Sequence, residues 1–348
     1  MSSRVALLAP FALPSVRGNA ITIARVAGGL AGRGVPLRLW DLSVTPEARV
    51  EAEVEAYRPS LVHAFHAFRT GPLGLRLARR AEIPLVVTLT GTDANHDLFD
   101  AERAATVRRV LEGSARVTVF HPSIADRVAG ALPDVRGRIV VIAQSVSLEA
   151  GHAFDLDARW PLPPSRVLFV FPAGIRPVKN PRLPLAPLDR LVARHPSVRL
   201  LYVGPALDAA EGEALLQALE GRPWARHVGS VPHSQMASLL EAADVVLNCS
   251  ISEGGMANSV LEALAVGRAV LASDIEGNRS LVREGVTGLL FADATEFETK
   301  AEALVRDPAL RLRLGRAGRE LVERAYPPAA ELEGYLDVYR RLARVPSA

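Results

Sequence analysis

The sequence predicts an α/β protein made of two doubly wound parallel sheets. Three observations point there: the length, the alternation of short β-rich runs with longer amphipathic stretches, and a proline-rich break near the middle. At 348 residues the chain is about twice the size of an ordinary domain. Alternating strand and helix patterns specify βα units, which pair in parallel. The run Trp160-Pro-Leu-Pro-Pro164 can continue neither a helix nor a central strand, so the boundary between the halves falls within Glu149–Ser165.

In the first half, short apolar runs predict strands at Arg4–Ala9, Leu37–Trp40, Leu61–Phe65, Leu85–Leu89, Val117–Phe120 and Ile139–Ile142. Helical patterns between them include Ala20–Gly32, Leu73–Arg80, Ala101–Glu112 and Ser123–Ala131. In the second half, strands are expected at Val167–Pro172, Val198–Val203, Val245–Cys249, Ala269–Ser273 and Gly288–Phe291. The tail 329–343 places Leu332, Tyr335, Leu336, Tyr339 and Leu342 at helical spacing. The expected organisation is therefore residues 1–150, a linker at 151–165, a second domain at 166–328, and a closing segment, 329–348, that packs back on the first domain. In such folds ligands lie at the carboxyl ends of the strands, here in a crevice between the two halves.

Composition narrows the class of function. Hydrophobic residues are 49% and charged residues 23% of the chain, which excludes wholesale disorder. A net charge of +3 is too small to imply nucleic acid as a partner. The one cysteine, Cys249, excludes a disulfide framework and a cysteine zinc site, and it fits a reducing, cytoplasmic location. Apolar runs such as Val167–Ala173 are strand-length, far short of a membrane span, which leaves a peripheral membrane contact open.

Four segments at strand ends carry residues suited to chemistry. The most informative runs from Asn248 through Glu253-Gly-Gly to Asn258-Ser-Val-Leu-Glu262. Glycines admit a ligand close to the backbone, and a helix beginning near Asn258 offers N–H groups to a phosphate, although Asn258 or Ser259 could equally be a plain cap. Glu262, in the first turns of that helix, could accept two ribose hydroxyls or simply complement the helix dipole. The second segment, Gly174-Ile-Arg176-Pro-Val-Lys179, sets two cations three residues apart, as a diphosphate clamp or as solvated loop charges. The third, Phe11 to Arg25, contains Gly18-Asn19 but neither a dinucleotide fingerprint nor a GxxxxGK[ST] loop. The fourth, Thr90-Gly-Thr92-Asp93-Ala-Asn95-His96-Asp97, reads either a sugar or a capped turn. Of His63 and His66 on the neighbouring strand end, one is expected in the core and the other facing the crevice. Asp155-Leu-Asp157 lacks a third ligand nearby, so no metal is expected. The chain has no Gly-x-Ser-x-Gly elbow, and Cys249 falls in a buried strand, so neither supplies a nucleophile.

Taken in order, Gly174-Ile-Arg-Pro-Val-Lys179, Gly229-Ser-Val-Pro-His233, Ala243-Asp-Val-Val-Leu, Ser252-Glu-Gly-Gly with Glu262-Ala-Leu, and Gly285-Val-Thr-Gly-Leu-Leu-Phe291 resemble glycosyltransferase family 4. Gly18-Asn19, Thr90-Gly-Thr-Asp93 with Asn95 and Asp97, and Gln144-Ser145 are similar to the glycosyltransferase 1 domain-containing protein 1 group, and bacterial selenosugar synthases share some of these features. The resemblance implies the GT-B fold, two Rossmann-like domains facing a crevice, with an acceptor-side first domain and a nucleotide-sugar-binding second domain. It further implies that Arg176 and Lys179 neutralise a leaving diphosphate, Glu253 lies near the donor sugar, and Glu262 holds the ribose. The backbone at Asn258, Ser259 and Val260 would contact the phosphates, Ser230, Val231 and Pro232 the base, and Gly18 and Asn19 would close over the donor. No metal and no cofactor beyond the substrate are implied.

Two features depart from the family pattern. Eight residues separate Glu253 from Glu262 where seven are usual, and an extra glycine, Gly254 or Gly255, would absorb the difference. The family's histidine after the fourth strand is replaced by Thr90, so sugar contacts are expected from Thr90, Thr92 or Asp93, or from His66, with Asn95 as a further sugar or acceptor contact. The expected activity is a retaining transfer of a hexose or N-acetylhexosamine from a UDP-sugar to a small or lipid-linked acceptor. The alternatives are a non-catalytic sugar-nucleotide-binding protein and a nucleotide-sugar epimerase of the same fold.

Overall fold

A computed structural model describes residues 4–15, 18–148 and 152–343. The chain divides into two compact units, Met1–Ser145 with Pro328–Ala348, and Val146–Pro327.

The first unit runs β1 (Val5–Ala9), α1 (Gly18–Gly32), β2 (Leu37–Asp41), α2 (Glu47–Tyr57), β3 (Leu61–Phe65), α3 (Gly71–Arg80), β4 (Leu85–Thr88), α4 (Ala104–Glu112), β5 (Arg116–Val119), α5 (Pro122–Ala131) and β6 (Ile139–Val141). Its six strands pair in the order β2-β1-β3-β4-β5-β6, all in parallel. The inner strands β1, β3 and β4 are fully buried because helices cover both faces of the sheet. One face packs Leu8, Val62, Val87 and Val117 under α2 to α5. The other packs Leu7, Phe65 and Val86 under α1 and α14 (Pro328–Ala343), the last helix of the chain. The approach of α1 to α14 is close: a Cβ at Gly29 would stand 2.6 Å from the Leu332 methyls.

The second unit contains α6 (Leu156–Arg159), β7 (Val167–Pro172), α7 (Leu185–Arg194), β8 (Val198–Val203), α8 (Ala209–Leu219), β9 (Ala225–His227), α9 (Met236–Glu241) and β10 (Val245–Asn248). It continues through α10 (Asn258–Ala265), β11 (Ala269–Ser273), α11 (Glu276–Arg279), β12 (Leu289–Phe291), α12 (Ala294–Arg306) and α13 (Pro308–Ala325). The sheet order is β12-β11-β10-β7-β8-β9, again fully parallel. Successive strands move outward from β7 to β9 and then return to its other side with β10. The strand order therefore reverses between β7 and β10, which is where open α/β sheets bind ligands.

Of the boundary segment 149–165, residues 149–151 lie outside the described residues. The rest is part of the second unit, with Phe154, Leu156 and Trp160 buried. Asp155 caps α6 by accepting a 2.9 Å bond from the Ala158 N–H, so Asp155-Leu-Asp157 begins a helix. Among the described residues, no group of three or more His, Cys, Asp or Glu side chains is placed to hold a metal ion, and no helix is long and apolar enough to cross a membrane.

Candidate active site

The loops after β7 and β10 emerge side by side and are joined by a 2.9 Å bond from Ile251 N–H to the Val178 carbonyl. This pairing brings together two residues 74 apart in sequence: Lys179 Nζ donates to Glu253 Oε1. The same oxygen accepts from Ser250 Oγ at 2.6 Å and from Asn248 Nδ2 at 3.2 Å. Burial alone would raise the Glu253 pKa, but the Lys179 charge and the donors from Lys179, Ser250 and Asn248 outweigh it and hold the carboxyl below its usual range.

Behind Glu253 stands a buried polar layer that residue type alone does not reveal. Asn278 is fully buried and donates through Nδ2 to the Ser273 carbonyl at 2.9 Å and to Asn248 Oδ1 at 3.3 Å. Ser273 Oγ donates to the Ser250 carbonyl at 2.6 Å, tying β11 to the Glu253 loop. Gly277 is required sterically, since a Cβ there would stand 2.5 Å from Glu253 Cβ. These supports sit at the end of β11 and in α11 and could have been sought only by knowing that β10 and β11 are neighbours. The extra glycine has a definite role: Gly255 takes φ 110°, which side-chain-bearing residues rarely adopt, so the loop turns there and α10 still begins at Asn258.

Neither Asn258 nor Ser259 caps α10. The cap position is Ala257, which has no side-chain bond to give, so Asn258, Ser259 and Val260 are the first helical residues, and the Val260 N–H donates to the Ala257 carbonyl at 3.1 Å. Five residues into the helix, buried Glu262 receives a bond at 3.0 Å between its Oε1 and His233 Nε2. His233 directly follows Ser230, Val231 and Pro232. Of these, Ser230 and Pro232 are exposed while Val231 is buried. Arg176 lies on the β7 loop, half-buried, and its Nε is sheltered with no hydrogen-bond partner. Gly174 makes room there, as a Cβ would meet Leu207 at 2.5 Å. Cys249 is buried beside this site, and burial pushes its thiol pKa up, so it supplies no nucleophile.

In the first unit, Asn19 at the start of α1 donates to Thr90 Oγ1 at 3.1 Å, joining the loops after β1 and β4. Gly18 is the exposed first residue of α1; Val16 and Arg17 lie outside the described residues. Two of the expected ligand contacts are buried. Asp93 is fully buried, accepting from the N–H groups of Ala67, Thr90 and Gly91 at 2.8 to 2.9 Å, so it shapes the turn. His66, expected as a sugar or acceptor contact, is 2% exposed. It sits in the left-handed region at φ 83°, between Asp93 and Asp97 at 3.8 and 3.9 Å. His63 is the core histidine, bonded to Tyr339 and Thr88. Thr92 is exposed, and Asn95 Oδ1 accepts from Arg127. Residues Asp93–Asp97 form a single π-helical turn, a conformation frequent at functional sites.

Two parallel six-stranded sheets, the second with a carboxylate, cations and a helix start at its switch point, define the GT-B class of glycosyltransferase fold. The description "Glycosyl transferases group 1" matches residues 154–321, and "Glycosyltransferase Family 4" matches residues 4–150. The chain is 26% identical over 303 residues to glycosyltransferase 1 domain-containing protein 1 of Xenopus tropicalis, covering 85% of this chain and 86% of that protein. It is 30% identical over 305 residues to D-inositol 3-phosphate glycosyltransferase of Rhodococcus opacus, covering 81% and 67% of the two chains. Among solved structures, HepE of Anabaena in complex with UDP-glucose matches with a TM-score of 0.81 at 15% identity, over 97% of this chain and 100% of that one. The chain belongs to the family 4 glycosyltransferases.

Proposed function

We propose that the protein is a retaining glycosyltransferase that takes a hexose or N-acetylhexosamine from a UDP-sugar. The observation that carries the reading is the cluster at the switch point of the second unit, where Lys179, Arg176 and the start of α10 gather positive potential beside Glu253. The UDP-glucose bound by the structurally similar HepE supports a UDP-sugar donor.

In this reading Arg176, Lys179 and the backbone around Asn258, Ser259 and Val260 hold the diphosphate. The bond between the anomeric carbon and the β-phosphate oxygen breaks, and its electron pair leaves with UDP. The acceptor hydroxyl attacks the same carbon from the face the phosphate leaves, and its proton passes to the departing phosphate oxygen. Preorganised cations stabilise the charge as it builds, so the step needs neither a protein nucleophile nor a metal ion. Glu262 accepts the ribose hydroxyls, and Ser230, Val231 and Pro232 border the base. On the first unit, Gly18, Asn19 and Thr90 present hydrogen-bonding groups for sugar or acceptor hydroxyls.

The test is a calorimetric titration of UDP, GDP and ADP against wild type and Glu262→Ala, followed by turnover of UDP-sugars by Lys179→Ala. Selective UDP binding that Glu262→Ala abolishes, with turnover lowered by about 10²–10³ in Lys179→Ala, is the expected result. Near-normal turnover in Lys179→Ala removes that lysine from the mechanism, and retained turnover in chelator establishes metal independence.

A further inference from the structure

Glu262 and His233 form a pair that the reaction itself does not require. Glu262 is buried in the second turn of α10, and its Oε1 lies 3.0 Å from His233 Nε2. Among the described residues, no donor is bonded to its other oxygen, Oε2. Rotation about the last torsion of a glutamate is broad, so an unheld carboxylate samples many orientations. One donor on Oε1 removes that freedom. It leaves Oε2, and the second lone pair of Oε1, pointing in fixed directions.

A carboxylate held in this way matches two hydroxyls on adjacent carbons, each oxygen accepting one. Losing either hydroxyl leaves a buried charged acceptor without a partner, and such sites reject the deficient ligand strongly. The position of His233 adds a second reason. It begins the 3-10 turn His233–Gln235 immediately after Ser230–Pro232, the segment read above as bordering the base. One short stretch of chain thereby serves both ends of a nucleoside, bordering the base and orienting the ribose through Glu262.

We infer that His233 is a positioning residue that locks the Glu262 carboxylate for a vicinal diol and so sets the preference for ribonucleotide over deoxyribonucleotide donors. The inference rests on the reading of Glu262 as the ribose acceptor, and its test separates the two.

The measurement is the affinity of UDP, 2′-deoxy-UDP and 3′-deoxy-UDP for the full chain by calorimetry. Wild type is expected to bind at least one deoxy analogue about tenfold or more weakly than UDP, as loss of a hydrogen bond to a charged group predicts. His233→Ala should shrink that ratio to about threefold or less while hardly changing affinity for the deoxy analogue, because an unheld carboxylate forfeits orientation before binding. His233→Gln, whose amide can donate to the same oxygen, should recover part of the ratio, which general destabilisation would not do. If His233→Ala fails to fold, His233→Phe keeps the ring without a donor and carries the same expectation. A full wild-type ratio in His233→Ala or His233→Phe overturns the inference. Discrimination that survives in Glu262→Ala, or is missing from wild type, instead overturns the ribose reading and the inference with it.

Discussion

Arg25 and Glu331 lie 306 residues apart and form a buried bidentate pair, with Arg25 Nε and Nη2 each donating at 2.8 Å to one oxygen of Glu331. The pair joins α1 to α14 within the first unit and fixes where the last helix docks. Removing one partner strands the other charge in the interior. Glu331→Ala is therefore expected to cost about 3–5 kcal/mol, read as a lower urea midpoint, while Arg25→Met with Glu331→Leu should recover much of it.

Acid should loosen the same region through a different residue. His63 is fully buried, bonded through Nδ1 to Tyr339 Oη at 2.6 Å and through Nε2 to Thr88 Oγ1 at 2.7 Å. Burial pushes its pKa down from 6.5 to about 3. Between those values the unfolded chain binds a proton that the folded chain refuses. The His63 contribution is thus complete above pH 6.5 and is lost as pH falls towards 3, with a slope approaching about 1.4 kcal/mol per pH unit. Denaturant midpoints from pH 7 to pH 4 measure it, and His63→Gln should flatten the slope.

Gly277→Ala tests the support behind Glu253. The added methyl would stand 2.5 Å from Glu253 Cβ, so backbone or side chain must shift, at a cost of about 1–3 kcal/mol. Glu253 then loses its alignment with Lys179, whereas Glu262 is held separately on α10 by its bond to His233. The expected outcome is a folded protein whose UDP affinity is close to wild type and whose sugar transfer falls at least about tenfold. Parallel calorimetry and turnover assays check both halves.

Cys249 should behave as an inert core residue. It is 1% exposed and its thiol pKa is pushed up by burial, so the thiolate that a disulfide reagent needs hardly forms. Labelling with an aromatic disulfide reagent is expected to be negligible in the native protein and stoichiometric in denaturant. Rapid native labelling would show that the β10 end opens.

Much of the architecture is legible before any coordinates. Val167–Pro172, Val198–Val203 and Ala269–Ser273 are strands with the bounds that their apolar runs predict, because a strand covered on both faces is mostly apolar. The strand β9 escapes this reading. It has three residues, and of these only Ala225 is buried, so no run marks it. The helix α2 is equally faint, burying only Val50 and Val54.

Residue type and spacing, which are local properties, were enough to determine the two parallel sheets, the strand ends that carry polar residues, and the choice of Arg176, Lys179, Glu253 and Glu262 as candidates. The tertiary structure alone decided what each of these touches. Lys179 meets Glu253 because β7 and β10 are neighbours although not consecutive, and Glu262 meets His233 because the loop after β9 reaches α10. It also buries Asp93 and His66, with Asp93 accepting from three backbone N–H groups of its own loop and the neighbouring strand end. The physical reason is that strand order and buried hydrogen bonding are settled by the packing of distant segments, which leaves no periodic trace in any one of them.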